Sequence, residues 1–203
     1  MTDTPEDTER HRSKMARKKV ARDRMMAEKS TGKGVLIVHT GAGKGKSSAA
    51  FGMALRCVGH GLKVGIVQFI KGAWDTAERR VLSGFPDQVA FHALGEGFTW
   101  ETQDRERDIA AAERAWAVAA AMLADPSYAM VILDELNIAL RYGYLPLEAV
   151  LATLAARPEG QHAVVTGRNA APELIEQADL VTEMTLVKHP FRGGIKAQPG
   201  VEY

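Results

Sequence analysis

The stretch that most constrains this chain is Thr40-Gly41-Ala42-Gly43-Lys44-Gly45-Lys46-Ser47. Three alternating glycines favour neither a strand nor a helix, so they predict a turn. Before it runs Val35–Thr40, a continuous apolar and β-branched segment of the kind buried on both faces of a sheet. After it, Ser47–His60 reads as a helix closed by Gly59 and Gly61. Strand, glycine turn and helix in that order aim successive backbone N–H groups into one concavity at the positive end of a helix, which is an anion site. The stretch matches the P-loop pattern at its Gly-Lys-Ser end and carries Thr40 where the first glycine usually stands. The expected nucleotide-phosphate contacts are therefore Gly41, Ala42, Gly43, Lys44, Gly45, Lys46, Ser47 and Ser48. Lys46 is expected to set its ammonium against phosphate oxygens, and Ser47 to offer its hydroxyl to Mg²⁺. Lys44 adds a second cation that an empty structural turn would not need.

The rest of the chain continues the alternation. Lys63–Ile70, Val89–Leu94, Tyr128–Leu133, Gln161–Thr166 and Leu180–Val187 read as strands. Asp104–Ala124, Pro146–Ala156 and Pro172–Ala178 read as helices. Strands separated by helices at this spacing predict an α/β fold, a mostly parallel sheet with helices on both faces, in one P-loop NTPase-like domain over residues 34–203. Residues 1–33 are set apart by charge: Arg and Lys crowd there, although the whole chain has a formal net charge of only +1. This basic arm is expected to be helical from Glu9 to Lys29 or partly disordered, since isolated helices fray.

Asp134-Glu135 ends the apolar Tyr128–Leu133 run. A carboxylate leaving the carboxyl end of a neighbouring parallel strand reaches a metal beside the phosphate loop. A carboxylate pair opening the next helix is the plainer alternative, and the loop upstream favours metal binding. The expected metal ligands are Ser47, Glu135 and Asp134, and the expected catalytic groups Lys46, Lys44 and Glu135. A nucleoside triphosphate and Mg²⁺ follow from these motifs; which bond breaks does not.

A single cysteine, Cys57, excludes an intramolecular disulfide and reads as a small core residue. The six histidines lack metal-ligand spacing, and His39 reads as scaffold. No apolar run approaches the roughly 18–20 residues of a membrane span, and the polar first residues lack a secretory signal, so a cytoplasmic protein is expected. The arm interleaves acids and lacks aromatics, so nucleic acid is not an expected partner. Arg56, Arg168, Gln68 and Lys71 are further candidates for contacts near the ligand.

Three stretches together resemble the P-loop family of ATP:corrinoid adenosyltransferases: Thr40–Ser47, Val67-Gln68-Phe69-Ile70-Lys71-Gly72, and Gly97-Phe98-Thr99-Trp100-Glu101-Thr102-Gln103. The likeness continues through Leu133–Leu136, Tyr144–Glu148, Ala156–Pro158, Val165–Arg168 and Val187–His189. The phosphate loop is generic, whereas Phe-Thr-Trp-Glu-Thr-Gln is distinctive. Ala42 and Ser47 stand where the family often has Asn and Thr; both changes keep the backbone donors and the hydroxyl. The resemblance implies transfer of the 5′-deoxyadenosyl group of ATP to the Co(I) centre of a corrinoid, with triphosphate leaving and Mg²⁺ assisting. It implies that Phe98 and Trp100 slide beneath the corrin and displace its lower axial ligand. It further implies an electron donor such as a reduced flavoprotein, a homodimer, and an arm that folds over an active site. It leaves open whether the acceptor is cobalamin or an earlier cobyrinate-type intermediate. The rival readings are a P-loop ATPase or small-molecule kinase cleaving the γ-phosphate, and a nucleotide-gated binding protein.

Overall fold

The computed structural model describes residues 5–29, 32–70, 76–95 and 104–201. The chain divides into two compact units, Met1–Gly32 and Lys33–Tyr203. In the first, helix α1 (Pro5–Ala27) is built of good helix formers and carries the ion pairs Glu9–Arg12 and Arg24–Glu28 at helical spacing.

The second unit is an α/β body. Its strands are β1 (Leu36–Thr40), β2 (Val64–Gln68), β3 (Val89–Ala93), β4 (Met130–Asp134), β5 (His162–Thr166) and β6 (Leu180–Glu183). Its helices are α2 (Lys46–Gly59), α3 (Ala77–Leu82), α4 (Arg105–Ala124), α5 (Leu136–Arg141), α6 (Leu147–Ala155) and α7 (Pro172–Gln177), with a 3₁₀ turn at Pro190–Gly193. The six strands form one sheet in the order β3-β2-β4-β5-β1-β6, and every pairing is parallel. This is the α/β architecture that the alternation of apolar runs predicts.

Strand side chains alternate between two cores. Leu36, Val38, Val67, Leu133 and Val165 face the side covered by α4, α6 and α7, whereas Ile37, Ile66, Ile132 and Val164 face α2 and α3. Ala111, Ala112, Ala115 and Ala119 give α4 a small-residue face with which it packs on the sheet. Asp104 caps that helix by accepting from the Arg107 N–H at 3.1 Å.

Because all strands run the same way, the ends of β1, β2, β4 and β5 meet at one edge, where α/β sheets bind ligands. One detail departs from expectation. The strand carrying Asp134 does not neighbour β1; β5 lies between them and brings Thr166 to the middle of the edge. The last strand is also shorter than Leu180–Val187, because past Glu183 the chain turns along the glycine loop. Met184 N–H donates to Thr40 O at 2.9 Å, and Met184 O accepts from Gly43 N–H at 2.6 Å.

Candidate active site

The glycine loop joins β1 to α2. Gly41 and Gly45 have φ of 92° and 105°, in the left-handed region that only glycine enters freely. Gly43 is demanded by proximity instead, since a Cβ there would lie 2.7 Å from Met184 O and 2.8 Å from Thr185 O. Thr40, at the position usually glycine, uses its side chain: its Oγ1 accepts from the Ala170 N–H at 3.1 Å and ties the root of the loop to the segment after β5. Beneath the loop, buried His39 places Nδ1 3.3 Å from Lys46 O, a scaffold contact as the sequence suggests.

Lys46 is buried, and its Nζ donates to the loop carbonyls of Gly41, at 3.0 Å, and Gly43. Burial pushes its ammonium below the ordinary lysine pKa; the Glu135 carboxylate opposes that shift, and the Arg168 guanidinium adds to it. A desolvated cation of this kind is stabilised by an arriving phosphate.

Glu135 begins the turn into α5 with φ 63° and ψ 20°, a left-handed conformation that a glutamate adopts only under constraint. Asp134 beside it is wholly buried. Its oxygens accept from Gln68 Nε2 at 2.8 Å and Thr166 Oγ1 at 2.7 Å, joining the ends of β2, β4 and β5.

The loop, Lys46 and Glu135 border a cleft of about 1240 Å³. Gly43 to Ser48, Glu135 and Arg168 line its polar end; Phe51, Leu55, Ile70, Val81 and Ile138 form an apolar wall. The volume exceeds the roughly 300–1,000 Å³ of a single-ligand pocket.

The family model described as ATP:corrinoid adenosyltransferase BtuR/CobO/CobP matches residues 32–203, and one described as Cob(I)alamin adenosyltransferase N terminal matches residues 1–26. The chain belongs to the ATP:corrinoid adenosyltransferase family. A corrinoid adenosyltransferase of Pseudomonas aeruginosa is 61% identical over 203 residues, covering 100% of both chains. One from Sinorhizobium sp. is 56% identical over 97% of this chain and 93% of its own, and one from Escherichia coli K12 is 48% identical over 96% and 98%.

For an adenosyltransferase of this family, the structure brings together the loop, Lys44, Lys46, Ser47, Glu135 and Arg168. Asp134 is scaffold to the cleft rather than part of its lining. Arg56 lies exposed in the last turn of α2, and Cys57 is core. Phe98, Trp100 and Lys71 lie outside the described residues. Arg141 and Tyr142 line the cleft and were not singled out from the sequence. For the apolar wall there was a signal: Ser48, Phe51, Gly52 and Leu55 fall at i, i+3, i+4 and i+7, one face of α2.

Among the described residues, no group of three or more His, Cys, Asp or Glu side chains is arranged to hold a metal. The cleft is lined by the hydroxyl residues Ser47 and Ser48 and the carboxylates Glu135 and Glu78, all hard oxygen donors, and of these Ser47 and Glu135 are the two that the sequence singles out as metal ligands. This set fits Mg²⁺, which is commonly held by one or two protein oxygens together with substrate phosphates and water.

Proposed function

We propose that this protein transfers the 5′-deoxyadenosyl group of ATP to the Co(I) centre of a corrinoid in adenosylcobalamin biosynthesis or salvage. Supporting this reading is a cleft with two unlike walls, in a chain of this family. One wall is a cationic glycine loop suited to a triphosphate, and the other is a broad apolar surface with room for a second substrate.

In this reaction the Co(I) electron pair attacks C5′, the C5′–O bond breaks, and triphosphate leaves with that bond's electrons. The protein supplies no nucleophile, so its contribution is placement and charge. The N–H groups of the loop hold the triphosphate, with C5′ toward the acceptor. Lys46 turns from the Gly41 and Gly43 carbonyls to the phosphates, and Lys44 adds a second positive charge where negative charge gathers on the leaving group. Ser47 and Glu135 would hold Mg²⁺, which when bound would supply neutralisation of phosphate charge. Asp134 acts through its neighbours, as a positioning residue.

Phe98 and Trp100 displace the lower axial ligand of the corrinoid, and a reduced flavoprotein supplies the electron that yields Co(I). The protein works as a homodimer, and residues 1–33 serve corrinoid binding. Among the described residues no helix is long and apolar enough to cross a membrane. We place the reaction in the cytoplasm, as expected for a biosynthetic enzyme of this family.

The test is anaerobic incubation with MgATP and cob(I)alamin, following the cobalt–carbon chromophore optically and the phosphorus products by NMR. A photolabile adenosylcorrinoid formed one-for-one with triphosphate is expected. ADP and phosphate without a cobalt–carbon bond would make the protein an ATPase instead.

A further inference from the structure

Glu135 adopts a backbone conformation that its residue type disfavours, so something outside the turn must hold it there. Its own side chain makes no capping hydrogen bond to α5. One restraint comes from β5. Glu135 N–H donates to Thr166 Oγ1 at 3.0 Å, and the same hydroxyl donates its proton to Asp134 Oδ1 at 2.7 Å. Thr166 is wholly buried, so water does not compete for either bond. The direction of the hydroxyl is determined by chemistry: a carboxylate only accepts and an amide N–H only donates, so one proton serves Asp134 and the lone pair serves Glu135.

The next residue completes the seat. Gly167, at φ 126°, leaves the space that the Glu135 side chain uses; a Cβ there would lie 3.2 Å from Glu135 Oε2 and 2.9 Å from Asn137 Cβ. Asn137 Nδ2 then donates to Gly167 O at 3.0 Å, joining the turn to the strand end a second time.

We infer that Thr166 is a positioning residue for the metal–nucleotide site. Its hydroxyl, oriented by Asp134, holds Glu135 in the left-handed turn that presents the carboxylate to the cleft. Sequence alone conceals this role, because Thr166 ends an apolar strand and does not line the cleft. The inference rests on the proposed metal role of Glu135, and its test separates the two.

Native-state hydrogen exchange of the Glu135 amide, read by NMR, reports the hydrogen bond directly. Mn²⁺ binding to the protein with ATP, read by electron paramagnetic resonance without corrinoid, reports the site. Thr166→Val removes the hydroxyl at nearly constant volume. It is expected to speed exchange at Glu135 and to weaken Mn²⁺ binding, each about tenfold, the counterpart of one buried hydrogen bond. Thr166→Ser keeps the hydroxyl and is expected to restore both to within about twofold of wild type. Val165→Ala, on the opposite face of the same strand, lowers stability and leaves Mn²⁺ binding unchanged. If Glu135→Gln weakens Mn²⁺ binding and Thr166→Val changes neither measurement, the positioning role is overturned while the metal role stands. Unchanged Mn²⁺ binding in Glu135→Gln overturns the metal role itself, and with it the assignment of Thr166 to that site. An unprotected Glu135 amide in the wild type overturns the inference whether or not any variant folds.

Discussion

Lys46 shows how this site behaves before substrate arrives. Its ammonium is held by two carbonyls and lies below the ordinary lysine pKa because burial strips its hydration. A triphosphate bound in the proposed site would raise that pKa, so the complex would hold a proton that the free protein releases at alkaline pH. Affinity for MgATP should therefore be full below the free-protein pKa of Lys46 and fall as pH rises through it, measurable by titration calorimetry. Lys46→Arg should flatten that limb, since the guanidinium stays charged. Lys46→Met should cost about 10²–10³-fold in kcat, the usual loss for one preorganised charge-stabilising group. The residue-scale test of the aromatic loop is Trp100→Ala: turnover from cob(II)alamin with a biological reductant should collapse, and turnover from chemically reduced cob(I)alamin should largely survive. Equal losses in the two assays would remove the axial-ligand role.

Among the elements, β1 depends most on distant partners. Asp179, just before β6, accepts from Leu36 N–H at 2.9 Å and pairs with Lys33, pinning the start of β1. The Lys33 ammonium, and then the Leu36 N–H, hold the Asp179 carboxyl below the usual aspartate range. A depressed folded-state pKa gives stability that is present above the unfolded value of about 3.9 and lost as pH falls through the folded one. Asp179→Asn should thus lower Tm by about 2–4 °C at pH 7, and the gap should close in acid, as followed by calorimetry. The elements themselves were largely legible, because strands buried on both faces announce themselves as apolar runs such as Val131-Ile132-Leu133. Their order was not, since pairing is decided by packing between segments far apart in sequence, and so the interposition of β5 could not be read. Helix α3 was missed for its brevity; Thr76, whose side chain accepts from Arg79 N–H, was its only clear start signal. At the site, the glycine loop and Glu135 were legible by motif, whereas Thr40 looked like a defect until its bond to Ala170 gave it a purpose.

For the whole molecule, the proposed part of residues 1–33 in corrinoid binding makes a separable claim. Removing residues 1–29 should weaken corrinoid binding and leave MgATP binding intact, as titrations with each substrate would show; unchanged corrinoid affinity would make the arm a passive tail. Sedimentation of the full chain tests the homodimer. The sheet order has a further consequence, for the moment of birth. β1 lies between β5 and β6, and the loop that follows it is bonded to Met184. At a synthesis rate of about 5–20 residues per second, the loop waits roughly 7–30 s before its last partners are translated. A nascent or truncated chain that stops short of Met184 therefore lacks the finished form of the proposed nucleotide site, so ATP should act as a folding ligand only for chains the ribosome has carried past that point.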